Sequence, residues 1–117
     1  MTWGTVELEP EVASWLDGLD DKRWAQALMH LDLLEEYGVH LGEPYTRQLD
    51  GKLRELRFHC GRQRMRVSYW IAPHRRIVML TVFPKTRMRE FAEVERARQA
   101  LKRCQAEGHT ADDEEEL

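Results

Sequence analysis

LDGKLRELRFHCGRQRMRVSYWIAPHRRIVMLTVFPKTRMR, residues 49–89, reads as three consecutive strands joined by two short turns. Side chains on a strand alternate between two faces. In Arg54–Phe58, Leu56 and Phe58 therefore share one face, and Glu55 and Arg57 the other. Leu53 breaks that alternation, which predicts a late start or a bulge. His59, Cys60 and Gly61 are expected to turn the chain. In the following strand Met65, Val67, Tyr69 and Ile71 face one way, and Arg64, Arg66, Ser68 and Trp70 the other. A link over Ala72–Arg75, holding Pro73, leads into Ile77–Phe83. That run is almost wholly apolar, as expected of a central strand covered on both faces. Links this short favour an antiparallel meander.

Outward from this stretch, the N-terminal part reads as a strand and two helices. Val6 and Leu8 alternate with acids in a short first strand. Pro10 suits a first helical position and Glu11 a first turn. Val12, Trp15, Leu16 and Leu19 then fall at helical spacing. Asp20 or Asp21 can cap a second helix, whose stripe is Trp24, Ala27, Leu28, Leu31 and Leu34, with Gly38 as terminator. His30 lies at the border of that stripe with no partner at metal-ligand spacing. Residues 39–50 read as irregular, broken by Gly42 and Pro44, and the Asp50-Gly51 pair marks a turn. A last helix starts near Arg89 with the stripe Phe91, Val94, Ala97, Leu101 and Cys104, and ends at Gly108. The order βααβββα defines an α+β domain over residues 1–108: an antiparallel sheet packed on a helical hairpin, with a C-terminal helix. The acidic tail at 109–117 is too polar to fold alone.

Charge is distributed unevenly along the 117 residues. The balance is −8 over Met1–Pro44, +11 over Tyr45–Cys104 and −6 over Gln105–Leu117, against a net −3. That asymmetry points to a polyanion-binding surface in the middle of the chain; acids and bases pairing across the fold would be the plainer explanation. No apolar run is long enough for a membrane span and no signal-peptide pattern opens the chain, so no membrane partner is expected. Cys60 and Cys104 are far apart and read as reduced thiols of a cytoplasmic protein.

The face holding Glu55, Arg57, Arg64, Arg66, Ser68 and Trp70, followed by Lys85, Arg87 and Arg89, should be wet or hold an anion, because burying several unpaired cations is costly. Arginines with an aromatic on an open sheet suit single-stranded RNA. Scission through the 2′-hydroxyl needs a base, donors for the phosphate charge, and an acid for the leaving 5′-oxygen. Arg57 and Arg66 are candidates to hold the phosphate, and Lys85, set among other cations, to carry a proton. Glu55 is either a base or the ion partner that orients an arginine. Arg54, Arg64, Trp70, Arg87 and Arg89 are candidate RNA contacts. No Gly-rich phosphate loop, nucleophile elbow or metal-ligand spacing is present, so neither cofactor nor metal is expected.

The pieces LDGKLRELRF, RMRVSYW and FPKTR, followed by the helix EFAEVERARQAL, occur in an order and spacing that resemble the RelE/ParE toxin superfamily, especially its HigB-like, phage-related branch. The resemblance implies a toxin of a type II toxin–antitoxin module. Such a toxin is a metal-independent mRNA endonuclease acting on translating ribosomes, neutralised by a small antitoxin, usually a helix-turn-helix repressor. It also implies site roles for Arg66, Arg57, Lys85 and Arg87. Phe91 stands where several members have tyrosine or histidine, and Glu55 where some have a second lysine. A gyrase-directed poison of the ParE type and an inactive RNA-binding member are the alternatives.

Overall fold

The computed structural model describes the backbone of residues 2–86 and 90–116 and the side chains of residues 2–86 and 91–107. The first strand, β1 (Thr5–Leu8), leads through Glu9 into helix α1 (Pro10–Asp17), with Pro10 in its first turn. Proline suits that place because its missing N–H would have no partner there. Helix α2 (Asp21–Tyr37) is capped by Asp20, whose carboxylate accepts from the Arg23 amide at 2.8 Å. Its terminator, Gly38, has φ 52°, and a Cβ there would lie 2.1 Å from the Trp3 ring, so both backbone and space call for glycine.

Four antiparallel strands follow: β2 (Thr46–Asp50), β3 (Leu53–Cys60), β4 (Gln63–Ala72) and β5 (Arg76–Pro84). Helix α3 (Glu90–Glu116) ends the chain. The sheet order is β1-β5-β4-β3-β2, and β1 pairs with β5 in parallel. The structure is thus the expected α+β arrangement with two differences. The sheet is mixed rather than purely antiparallel, and β2 is a fifth strand within residues expected to be irregular. The Asp50-Gly51 turn is present, but it joins β2 to β3 as a hairpin. The next hairpin turns at Gly61-Arg62, later than expected, with Gly61 at φ 65°. Helix α3 continues past its expected end at Gly108 as far as Glu116, so the backbone of 109–116 is helical, while the side chains of this acidic segment lie outside the described residues.

Two cores sandwich the sheet. On one side α1 and α2 contribute Val12, Leu16, Ala27, Leu31 and Leu34, which meet Leu56, Phe58, Met65, Val67, Tyr69, Ile77 and Met79. On the other, Ala97, Ala100 and Cys104 of α3 meet Leu53, Trp70, Ala72, Val78 and Leu80. β5 therefore supplies both cores, which explains its unbroken apolar run. Between Ser68 and Tyr69 of β4 the register with β5 shifts, from Ser68 opposite Thr81 to Tyr69 opposite Met79, leaving Leu80 as an extra residue. The irregularity expected at the start of β3 falls on its partner strand: β2 and β3 shift register between Gln48 and Asp50, with Leu49 as the extra residue. Leu53 begins β3 under α3, and Arg54 is the residue out of pattern: it lies on the hairpin side, donating to the Tyr69 hydroxyl at 3.3 Å and Thr46 Oγ1 at 3.2 Å. Two helical stripes also differ from expectation. Trp24 is exposed, and Phe91 is 82% exposed because the contact of α3 with the sheet is made by Ala97, Ala100 and Cys104. Among the described residues, no helix is long and apolar enough to cross a membrane.

Candidate functional site

Helix α3 covers only part of its sheet face. Beyond it the same strands carry Glu55 and Arg57 of β3, Arg66 of β4 and Phe83 of β5, with Lys85 just after β5. These residues line one hollow of about 190 Å³ together with Arg47, Gln48 and Val94. Register explains the convergence. Arg57 stands opposite Arg66, Arg66 opposite Phe83, and the Lys85 amide continues the ladder by donating to the Arg64 carbonyl at 2.8 Å.

Two guanidinium groups facing each other across adjacent strands would repel. Glu55 offsets this. Its Oε1 lies 3.7 Å from Arg57 Nε and 3.6 Å from Arg66 Nε. Glu55 is only 6% exposed and Arg66 5%, whereas Arg57 is half-buried. The patch is consequently less open than an arginine-lined sheet surface suggests: the shared carboxylate draws both cations inward, and Arg66 forms the floor. The Arg66 Nη1 also donates to the Met65 carbonyl at 3.2 Å. Arg57 Nε is buried without a hydrogen-bond partner. The arginines lie on the side away from the helical hairpin.

The rim is pinned by ion pairs that the linear sequence does not display. Glu11 of α1 accepts from the Val82 amide at 2.8 Å and from Arg96 of α3. Arg96 also donates to the Val82 carbonyl at 3.2 Å and to Glu93 at 2.9 Å. Burial alone would ease the Arg96 proton off, but the Glu11 and Glu93 carboxylates outweigh it and hold the guanidinium above its ordinary value. Arg98 bonds Asp50 at 2.7 Å, tying α3 to the β2–β3 turn. With Arg76 on Glu7, these pairs account for part of the basic excess of the chain's middle as internal partners. No cluster of three or more His, Cys, Asp or Glu among the described residues is placed to hold a metal.

Of the residues singled out from sequence, Glu55, Arg57, Arg66 and Lys85 come together in the hollow. Arg64 is exposed and lines an adjoining cleft. Trp70 stands elsewhere: α3 covers it, and its Nε1 donates to Cys104 Sγ at 3.3 Å, so its ring is not presented to a ligand. Arg54, by contrast, belongs to the opposite side of the sheet, bonded to Tyr69 and Thr46. Arg87 and Arg89 lie outside the described residues. Sequence reasoning missed Arg47 and Gln48 on β2. The Asp50-Gly51 turn was the available signal, because such a pair commonly joins two strands. It also missed Tyr45 and His30, which line the adjoining cleft.

A five-stranded sheet with a helical hairpin on one side and a single helix on the other is the RelE-type α+β fold. The solved RelE–RelB complex from the archaeon Pyrococcus horikoshii OT3 contains a chain of this fold, with a TM-score of 0.53 and 24% identity over 72% of this chain and 97% of that one. The sequence model of the phage-derived protein Gp49-like family (DUF891) matches residues 14–105, and the chain belongs to that family. None of the curated proteins matches it.

Proposed function

We propose that this protein is the toxin of a type II toxin–antitoxin pair, and that it cleaves mRNA at the hollow between α3 and β2. The observation that carries this reading is the convergence of Arg57, Arg66 and Lys85 on one cavity of a RelE-type fold. Guanidinium and ammonium groups held together in this way suit a phosphodiester whose charge grows during scission. Arg57, the more exposed of the pair, holds a non-bridging oxygen, and Arg66 adds its charge from below. As the 2′-oxygen bonds to phosphorus and the bond from phosphorus to the 5′-oxygen breaks, the 2′-hydroxyl proton passes to solvent water and Lys85 delivers a proton to the departing 5′-oxygen. Glu55, buried between the two arginines, is a positioning residue in this scheme rather than a base. The protein would act in the cytoplasm on mRNA engaged by ribosomes. The RelE–RelB composition of the structural neighbour supports a small antitoxin as its partner, and the HigB-like resemblance implies a helix-turn-helix protein.

Induced expression with mapping of transcript ends tests this. Growth arrest with new 5′ ends inside open reading frames is expected, and folded Arg66→Ala protein should abolish both. Intact transcripts during arrest would overturn the nuclease reading, and DNA breaks alongside them would select a gyrase target instead.

A further inference from the structure

A second concavity, a cleft of about 450 Å³, lies beside the hollow at the edge of β3. The two share two lining residues, Arg57 and Arg66. A phosphate held by that pair would therefore place its neighbouring nucleoside at the mouth of the cleft. The cleft wall is aromatic. The His30 ring stacks on Phe58 with centroids 4.8 Å apart and planes at 16°, and Tyr45 lies 6.3 Å from His30. Phe58 is core, but Tyr45 keeps 40% of its surface exposed. The Tyr45 backbone is fixed: its amide donates to the Gly42 carbonyl at 3.0 Å and its carbonyl accepts from the Arg57 amide at 2.8 Å. The tyrosine and the phosphate-binding arginine are thus joined by one hydrogen bond. His30 Nδ1 lies 2.8 Å from the Gln26 carbonyl, which can only accept, so Nδ1 is the donor. His30 lines the cleft, and in the tautomer that carries its proton on Nδ1 its Nε2 is an acceptor.

We propose that this cleft is a nucleobase subsite, in which the base next to the bound phosphate stacks on Tyr45 and meets His30 Nε2 with an N–H donor. The proposal rests on the nucleic-acid reading of the hollow and adds where a base is received. An aromatic face with cations beside it is the arrangement that single-stranded nucleic acid uses, because every base offers a π-face while phosphates need charge. His30 would favour bases with an amino or imino donor on the presented edge, giving the cleft a preference as well as a grip.

The test uses fully 2′-O-methylated, fluorescein-labelled oligoadenylate, which cannot be cleaved, and the same strand with abasic residues. Wild-type protein should bind the intact strand about five- to a hundredfold more tightly than the abasic one. Tyr45→Phe should keep that ratio, and Tyr45→Ala should bring it close to one. Because Tyr45 is anchored through its backbone and its ring is partly exposed, circular dichroism should show the alanine variant folded. Equal binding of the two strands by wild type, or an unchanged ratio in Tyr45→Ala, overturns the subsite and leaves the cleft to a protein partner. Absence of binding to either strand overturns it as well. Base discrimination by a protein that leaves transcripts uncut would retire the nuclease reading and keep the subsite. Cleavage without base discrimination would do the reverse.

Discussion

One face of the sheet has two halves built from the same three strands. In the covered half, Leu53, Trp70, Val78 and Leu80 lie under Ala97, Ala100 and Cys104. In the uncovered half, Glu55, Arg57, Arg66, Phe83 and Lys85 surround a cavity. Leu53 and Arg57 are four residues apart on β3, and Arg66 and Trp70 four apart on β4. Ser68 and Thr81, opposite each other and hydrogen-bonded through their hydroxyls, stand at the boundary. Alternation fixes which face a side chain takes. How far along the strand it lies decides whether α3 reaches it. A single helix, set across one face, converts one surface into core and site.

The largest effect is expected in the covered half. Trp70→Ala removes the biggest side chain under α3 and leaves Cys104 without its indole donor. It should cost about 3–5 kcal/mol of stability, read by thermal or denaturant unfolding. If Trp70 were instead an RNA-stacking residue, the variant would unfold like wild type and bind RNA more weakly. Next comes the uncovered half. Arg66→Ala should lower RNA cleavage by about 10²–10³-fold, measured on purified folded protein, with a smaller loss of stability. Equal cleavage by this variant would move the chemistry out of the hollow.

Glu55→Gln probes what holds the uncovered half together. Neutralising the carboxylate leaves Arg57 and Arg66 facing each other without their shared counter-charge. Removing one member of a buried ion pair is costly, but separations of 3.6–3.7 Å and the partial exposure of Arg57 reduce the effect to about 1–2 kcal/mol. RNA affinity should rise with the added net positive charge and fall more steeply with salt. Cleavage should drop while its pH profile keeps its shape. Loss of one limb of that profile would instead identify Glu55 as a proton-transfer group.

Much of this architecture is written in local pattern. The Pro10 helix start, the Asp20 cap, the Gly38 terminator and the apolar run of β5 each follow from a short-range cause that the sequence displays. β2 does not, because Thr46–Asp50 is a mostly exposed edge strand with Leu49 as its one large apolar residue. Glu55, Arg57, Arg66 and Lys85 could be grouped because strand register is local. The misplacement of Trp70 and Arg54 has a different origin. Trp70 needed the reach of α3, and Arg54 needed Thr46 and Tyr69, both supplied by other strands. Phe91 shows the same limit, since a helical stripe does not reveal where the helix meets its sheet. The pairs from Arg96 to Glu11 and from Arg98 to Asp50 bridge 85 and 48 residues, and no sequence spacing announces them.

The smallest effect, nil at neutral pH, separates the cores from the site by titration. Burial pushes the Cys104 and Cys60 thiols up; the Trp70 indole only partly opposes this at Cys104, and Arg23 only partly at Cys60. Burial likewise pushes the Tyr69 phenol up against the pull of Arg54. Below their ordinary values all three groups are protonated in folded and unfolded chains alike, so their contribution is fully present. As pH rises past the ordinary thiol range near 9, the unfolded chain releases protons that the folded chain retains. Stability must then fall, by at most about 1.4 kcal/mol per pH unit for each group. Unfolding midpoints in urea should therefore be flat between pH 7 and the thiol range, then decline. Cys104→Ala should make that decline shallower without changing RNA affinity at neutral pH, since Cys104 belongs wholly to the covered half. A variant that weakened RNA binding at neutral pH would show that the two halves are mechanically joined through α3, rather than separated at Ser68 and Thr81.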